Sequence, residues 1–107
     1  MTSEREWRQE ITDLTDRLRS EVSWECTRKM LLENGYNSNE ITLLAFMESE
    51  ECLEWGLFLT LDDRVLEWEV DTNNEYQLKS ITEKDECELS NYGDAVAVGK
   101  IMKAGSD

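Results

Sequence analysis

The sequence predicts one α+β domain spanning residues 1–107: an N-terminal helical region, a four-stranded antiparallel meander, and a C-terminal helix packed on one sheet face. Three observations support this fold class. An apolar stripe at helical spacing occupies the first third, apolar and acidic residues alternate in residues 66–71, and polar turn residues separate four short segments with strand patterns. A chain of 107 residues can build one hydrophobic core but not two.

The N-terminal region carries the start and stop signals of a helix. Ser3 followed by Glu6 is a capping-box pattern, and Asn34 with Gly35 is typical of a C-terminal cap. The sequence leaves open whether the helix is continuous or breaks into two between residues 20 and 23. The predicted apolar stripe consists of Trp7, Ile11, Leu14, Leu18 and Val22.

Four segments predict the strands of the meander: residues 41–47, 52–60, 65–71 and 76–82. The first is apolar on both faces, which indicates a well-covered position in the sheet. The third alternates most clearly, because Leu66, Trp68 and Val70 are interleaved with carboxylates. We therefore expect one face of this strand to build the core and the other to carry charge.

Residues 91–103 predict the final helix, with Tyr92, Val96 and Met102 at helical spacing. Gly93 and Gly99 lower helix propensity, which indicates a close approach to the sheet or to another backbone. We expect the helices to pack on one face of the sheet.

Negative charge is concentrated in the middle of the chain. The sequence contains 25 acidic and 11 basic residues, a net charge of −14, and residues 48–75 hold ten of the acids against Arg64 alone. Clustered charge of one sign on a rigid surface produces a potential of several kT that attracts a basic partner. The residues predicted to bind that partner are Glu54, Asp62, Asp63, Glu67, Glu69, Asp71 and Glu75, with Trp24 as an exposed aromatic anchor.

Several classes of chemistry lack the residues that they require. The chain has no histidine, and Cys26, Cys52 and Cys87 are far apart with no CxxC spacing. We therefore expect no catalytic residues, no metal site and no other cofactor, and we expect Cys26 and Cys52 to be core thiols. Basic residues are interleaved with acids on the helices, which argues against direct nucleic-acid binding.

The sequence also bears on location. It has no apolar run long enough for a transmembrane helix and no signal-peptide core, so we expect a cytoplasmic protein that does not bind membranes.

In size, charge and predicted architecture, the chain resembles small bacterial immunity proteins and phage-type inhibitors that neutralise cationic enzymes. The resemblance implies a non-enzymatic cytosolic inhibitor that binds a basic protein, such as a nuclease toxin, through an acidic sheet face. One alternative is a DNA mimic that blocks a restriction or CRISPR enzyme. A second alternative is a small acidic secretion chaperone or adaptor, and a homodimer is left open.

Overall fold

The computed structural model describes residues 3–49, 52–72, 77–85 and 92–104. Its helices are α1 (Glu4–Ser20), α2 (Glu25–Glu33) and α3 (Gly93–Ala104), and its strands are β1 (Thr42–Glu48), β2 (Leu53–Leu59), β3 (Val65–Asp71) and β4 (Gln77–Lys84). The strands form one antiparallel sheet in the order β1-β2-β3-β4. The predicted α+β fold and meander are therefore confirmed.

The helical N-terminal region consists of two helices rather than one. The Ser3 side chain accepts a hydrogen bond from the Glu6 amide at 3.3 Å and caps α1, as predicted. After α1 ends at Ser20, a 3₁₀ turn over Val22–Trp24 leads into α2. Val22 is 82% exposed, so its predicted place in the apolar stripe was wrong, because α1 ends before reaching it.

The end of α2 follows the predicted stop at Asn34 and Gly35. Gly35 adopts a φ of 92°, which side chains other than glycine rarely tolerate. Its amide donates to the Leu32 carbonyl at 3.0 Å, and the Tyr36 amide donates to the Leu31 carbonyl at 2.8 Å. Tyr36 is thereby turned back, and its ring packs edge-on against Phe58 with the centroids 5.2 Å apart.

The sheet lies between α2 and α3, and each of its faces has its own apolar cluster. On the α2 face, Phe58 and Trp68 pack with residues of α2 such as Leu31. On the α3 face, Leu57 and Leu59 pack with residues that include Leu44, Ala95 and Val98. The expectation that the helices share one face was wrong, because successive residues of β2 are apolar on both sides and each side must be covered.

Helix α1 lies along the outer edge of β1 and joins the two clusters. Ile11 belongs to the cluster on the α3 face and Leu18 to the cluster on the α2 face. The Thr15 hydroxyl accepts from the Leu43 amide at 3.0 Å, and Arg19 donates to the Ile41 carbonyl at 3.0 Å. These side chains satisfy backbone groups at the start of β1 and make them unavailable to another strand.

Helix α3 approaches the sheet through Gly99, as predicted, whereas a Cβ atom at Gly93 would meet nothing within 4 Å. A Cβ atom at Gly99 would lie 2.6 Å from Leu44 Cδ2. Among the described helices, none combines the length and the hydrophobicity that crossing a membrane requires.

Candidate functional site

Strand β3 carries an acidic strip, which we define as Glu67, Glu69 and Asp71. Alternation along the strand places the three side chains on the α3 face, opposite the core residue Trp68, as the sequence predicted. All three are half-buried. On β2, their directly paired neighbours are, in the same order, Leu57, Trp55 and Leu53. On β4, Thr82 pairs with Glu67 and Ser80 pairs with Glu69. The strip therefore lies between an apolar strand and a polar one.

Two protein groups hold Glu67 in place. Its carboxylate accepts a hydrogen bond from Trp55 Nε1 at 2.9 Å, and Lys84 Nζ lies 3.1 Å from its other oxygen. The charge of Glu67 is thus partly compensated. Glu69, the next residue of the acidic strip along β3, forms no ion pair within the described residues. Unlike that of Glu67, the charge of Glu69 is therefore not compensated by a lysine or arginine among those residues.

Apolar side chains adjoin the strip on the same face. Met47, Trp55 and Glu69 share one row across the sheet, and Met47 is 56% exposed. Trp55 is half-buried, and its ring packs against Tyr92 at 5.4 Å. Trp55 also packs, partly buried, against the apolar cluster on the α3 face. Its position opposite Glu69 could have been inferred by pairing the two strands about their turn, which brings an aromatic ring beside the acids.

Glu54 does not belong to the acidic strip. It lies on the α2 face and is only 7% exposed, so its predicted place on the exposed acidic surface was wrong. The carboxylate accepts hydrogen bonds from Trp68 Nε1 at 3.1 Å and from the Thr27 hydroxyl at 3.3 Å. Donors from β3 and α2 thus converge on a buried carboxylate, which links α2 to the sheet.

Asp62 and Asp63 occupy the turn between β2 and β3. The Thr60 hydroxyl donates to Asp62 and lowers the pKa of that carboxyl, and the charges of Arg64 and Lys103 act in the same direction. Asp63 has a φ of 65° and forms an ion pair with Lys103. The same lysine donates to the Leu61 carbonyl at 2.6 Å, so α3 fastens the turn.

The turn acids and the acidic strip do not form one continuous cluster. Asp71 lies at the far end of β3, roughly 20 Å along the strand from the turn. Salt screens exposed charges over about 8 Å at physiological ionic strength. Glu75, also predicted to bind the partner, lies outside the described residues. The acids predicted as one surface are therefore divided by the fold.

The predicted aromatic anchor is partly covered. Trp24 is half-buried, and its ring packs against Phe46 with the centroids 4.4 Å apart. It lies with the cluster on the α2 face, away from the acidic strip. The prediction for the thiols was wrong for Cys26, which is exposed, whereas Cys52 is half-buried. Cys87 lies outside the described residues.

Comparisons with known proteins do not indicate what this surface binds. No protein-family model, curated protein or solved structure significantly matches the chain. In the part of the chain that the structure describes, no group of three or more histidine, cysteine or acidic side chains could hold a metal ion.

Proposed function

We propose that this chain is a non-enzymatic inhibitor of the immunity type, which binds and neutralises a basic protein such as a nuclease toxin. The acidic strip carries this proposal. Its three carboxylates occupy alternate residues on the α3 face of β3, a strand that is hydrogen-bonded to a neighbour on each side. The backbone therefore holds the charges at fixed spacing, and a partner need not order them on binding.

The two halves of the surface contribute differently to binding. The carboxylates attract a basic partner from a distance and accelerate association, and this effect weakens as salt is added. Met47 and Trp55 offer apolar contact area beside Glu69, which slows dissociation once water is excluded. Together they fit a partner surface in which lysine or arginine side chains adjoin apolar ones.

The binding surface proposed from the structure is smaller than the sequence suggested. It contains the acidic strip, Met47 and Trp55, and it excludes Glu54, which is buried on the other face. Asp62 and Asp63 form a second exposed acidic site at the turn, where Lys103 compensates part of the charge. We assign the main contact to the acidic strip.

A pair of charge-reversal variants tests this assignment. The first carries Glu69→Lys and Asp71→Lys, and the second carries Glu4→Lys and Glu33→Lys, which reverse exposed acids on α1 and α2. Both variants change the net charge equally. After the partner has been captured from the host and identified, its association rate with the first variant should fall by about tenfold or more at low salt, and much less with the second.

Several results would contradict the proposal. Equal losses in the two variants would show that net charge matters and that the acidic strip does not. Competition with duplex DNA for several unrelated basic proteins would favour the DNA mimic, and a complex that persists in high salt would favour the chaperone.

A further inference from the structure

The two edges of the sheet differ in whether another element bonds to their backbone groups. At the β1 edge, Thr15 and Arg19 of α1 bond to backbone groups of Leu43 and Ile41. The opposite edge is formed by β4, the last strand of the sheet. An unpaired strand edge presents a row of amide and carbonyl groups that another strand can bind.

The hydrogen-bond pattern shows which groups of β4 point outward. The Thr60 amide donates to the Arg64 carbonyl at 2.9 Å, and the Thr72 amide donates to the Cys52 carbonyl at 2.8 Å. Because these bonds alternate along an antiparallel pair, the even-numbered residues of β3 bond to β2. The odd-numbered ones, including Glu67 and Glu69, bond to β4.

The residues of β4 that pair with Glu67 and Glu69 are Thr82 and Ser80. The residues beside them, Ile81 and Glu83, consequently direct their amide and carbonyl groups away from the sheet. Within the described residues, no hydrogen bond from outside the sheet reaches these backbone groups. Among the described residues, nothing therefore pairs with the outer edge of β4 at Ile81 and Glu83.

The side chains beside this edge indicate which strand would fit. A strand added to β4 would lie about 10 Å from β3, which is two strand spacings. Ser80 and Thr82 are short and lie between that strand and Glu69 or Glu67. Lysine or arginine side chains of the added strand can reach across them to the acids. Ile81 is half-buried on the other face, so the intervening positions favour apolar residues.

We propose that an extended segment of the basic partner binds along the outer edge of β4 as a fifth strand. Lysine or arginine alternates with apolar residues in this segment, and its cations face the acidic strip. The inference rests on the proposed function, because the acidic strip supplies the attraction for the cations. A second copy of this chain fits less well, since two surfaces of the same negative charge repel each other.

Two synthetic peptides test strand addition on the unaltered protein. The first is a peptide of alternating lysine and valine, about ten residues long, which is the upper range of a strand. The second has the same sequence with N-methyl groups on the alternate backbone nitrogens that would face β4. We expect the first to bind about tenfold more tightly, because only it can donate backbone hydrogen bonds. Hydrogen exchange of the Ile81 and Glu83 amides should slow when it binds.

A matched pair of variants tests the edge itself. Glu83→Pro removes an outward amide without removing a bond to β3, whereas Glu83→Ala keeps the amide. Both lose the ion pair with Arg64, in which the charged atoms are 3.0 Å apart. Circular dichroism monitors folding. We expect the proline variant to bind the first peptide about tenfold more weakly than the alanine variant does.

The outcomes separate the two proposals. Equal binding of both peptides would overturn strand addition and leave an electrostatic binding function intact. Failure of both peptides to bind at low salt would overturn both proposals. A dimer that forms with rising protein concentration and excludes the peptide would assign this edge to a second copy and overturn the inference.

Discussion

Gly56→Ala should destabilise the protein, although strand propensity alone predicts the opposite. A glycine within a strand costs about 0.5–1 kcal/mol relative to alanine, because it loses more conformational freedom on folding. Gly35 is the only described glycine with a positive φ, so the backbone at Gly56 accepts an alanine without strain. Propensity therefore predicts a gain in stability.

The packing around Gly56 reverses that expectation. A Cβ atom there would lie 2.3 Å from two carbons of the Trp68 indole, Cζ2 and Cη2. Trp68 is fully buried, its ring centroid is 5.8 Å from that of Phe58, and its Nε1 donates to Glu54 at 3.1 Å. The indole cannot move aside without weakening that hydrogen bond.

The magnitude follows from three contributions. Overpacking a core costs about 1–3 kcal/mol. A lost hydrogen bond to a charged group costs about 1.5–3 kcal/mol. After the gain from propensity is subtracted, we expect a loss of about 1.5–5.5 kcal/mol in the free energy of unfolding.

Urea unfolding monitored by tryptophan fluorescence and circular dichroism measures this loss. Gly99→Ala is the matched control, since its one close Cβ contact would be with the methyl end of Leu44, at 2.6 Å, and Leu59 Cδ2 would lie at an ordinary contact distance of 3.6 Å. Alanine is also favoured over glycine in a helix by about 1 kcal/mol, so this variant should remain within about 1 kcal/mol of the parent protein. If Gly56→Ala is as stable as the parent, Trp68 is not held as rigidly as we argue.

Two further substitutions test the hydrogen bonds to the carboxylates. Thr27→Val should lower the free energy of unfolding by about 1.5–3 kcal/mol, because it removes a buried donor to Glu54. The control Thr12→Val, at an exposed position of α1, should change the free energy of unfolding by less than about 0.5 kcal/mol. Equal effects in urea unfolding would contradict the assigned role of Thr27. Asp62→Asn should remove a stabilisation that exists above the ordinary aspartate pKa of about 4 and disappears as pH falls through the lowered pKa of the folded protein. Unfolding measured between neutral and strongly acidic pH should show the difference from the parent shrinking in acid, and a constant difference would exclude this cause.

Local patterns predicted the four strands and the helical regions, although they left open the break between α1 and α2. Ser3 identified the start of α1, Gly35 the end of α2, and alternation gave the bounds of β3 correctly. Each of these features depends on residues within a few positions along the chain, where capping and strand periodicity operate. The order of the strands followed from the short turns between them.

Contacts between distant residues decided the parts that the sequence could not predict. Glu54 is buried because Thr27 and Trp68, which are 27 and 14 residues away along the chain, supply its donors. No local signal brings these groups together. The placement of α2 and α3 on opposite faces could have been predicted in part. Phe58 lies between two leucines in β2, so apolar side chains project from both faces and each face needs a packing partner.

The position of α1 has a consequence for cooperativity. Ile11 and Leu18, two turns apart on one helix, anchor separate apolar clusters on opposite sides of the sheet. Detaching this helix would expose both clusters to water at once. The two apolar clusters are thus coupled through one helix. We therefore expect them to unfold together in a single transition rather than one after the other.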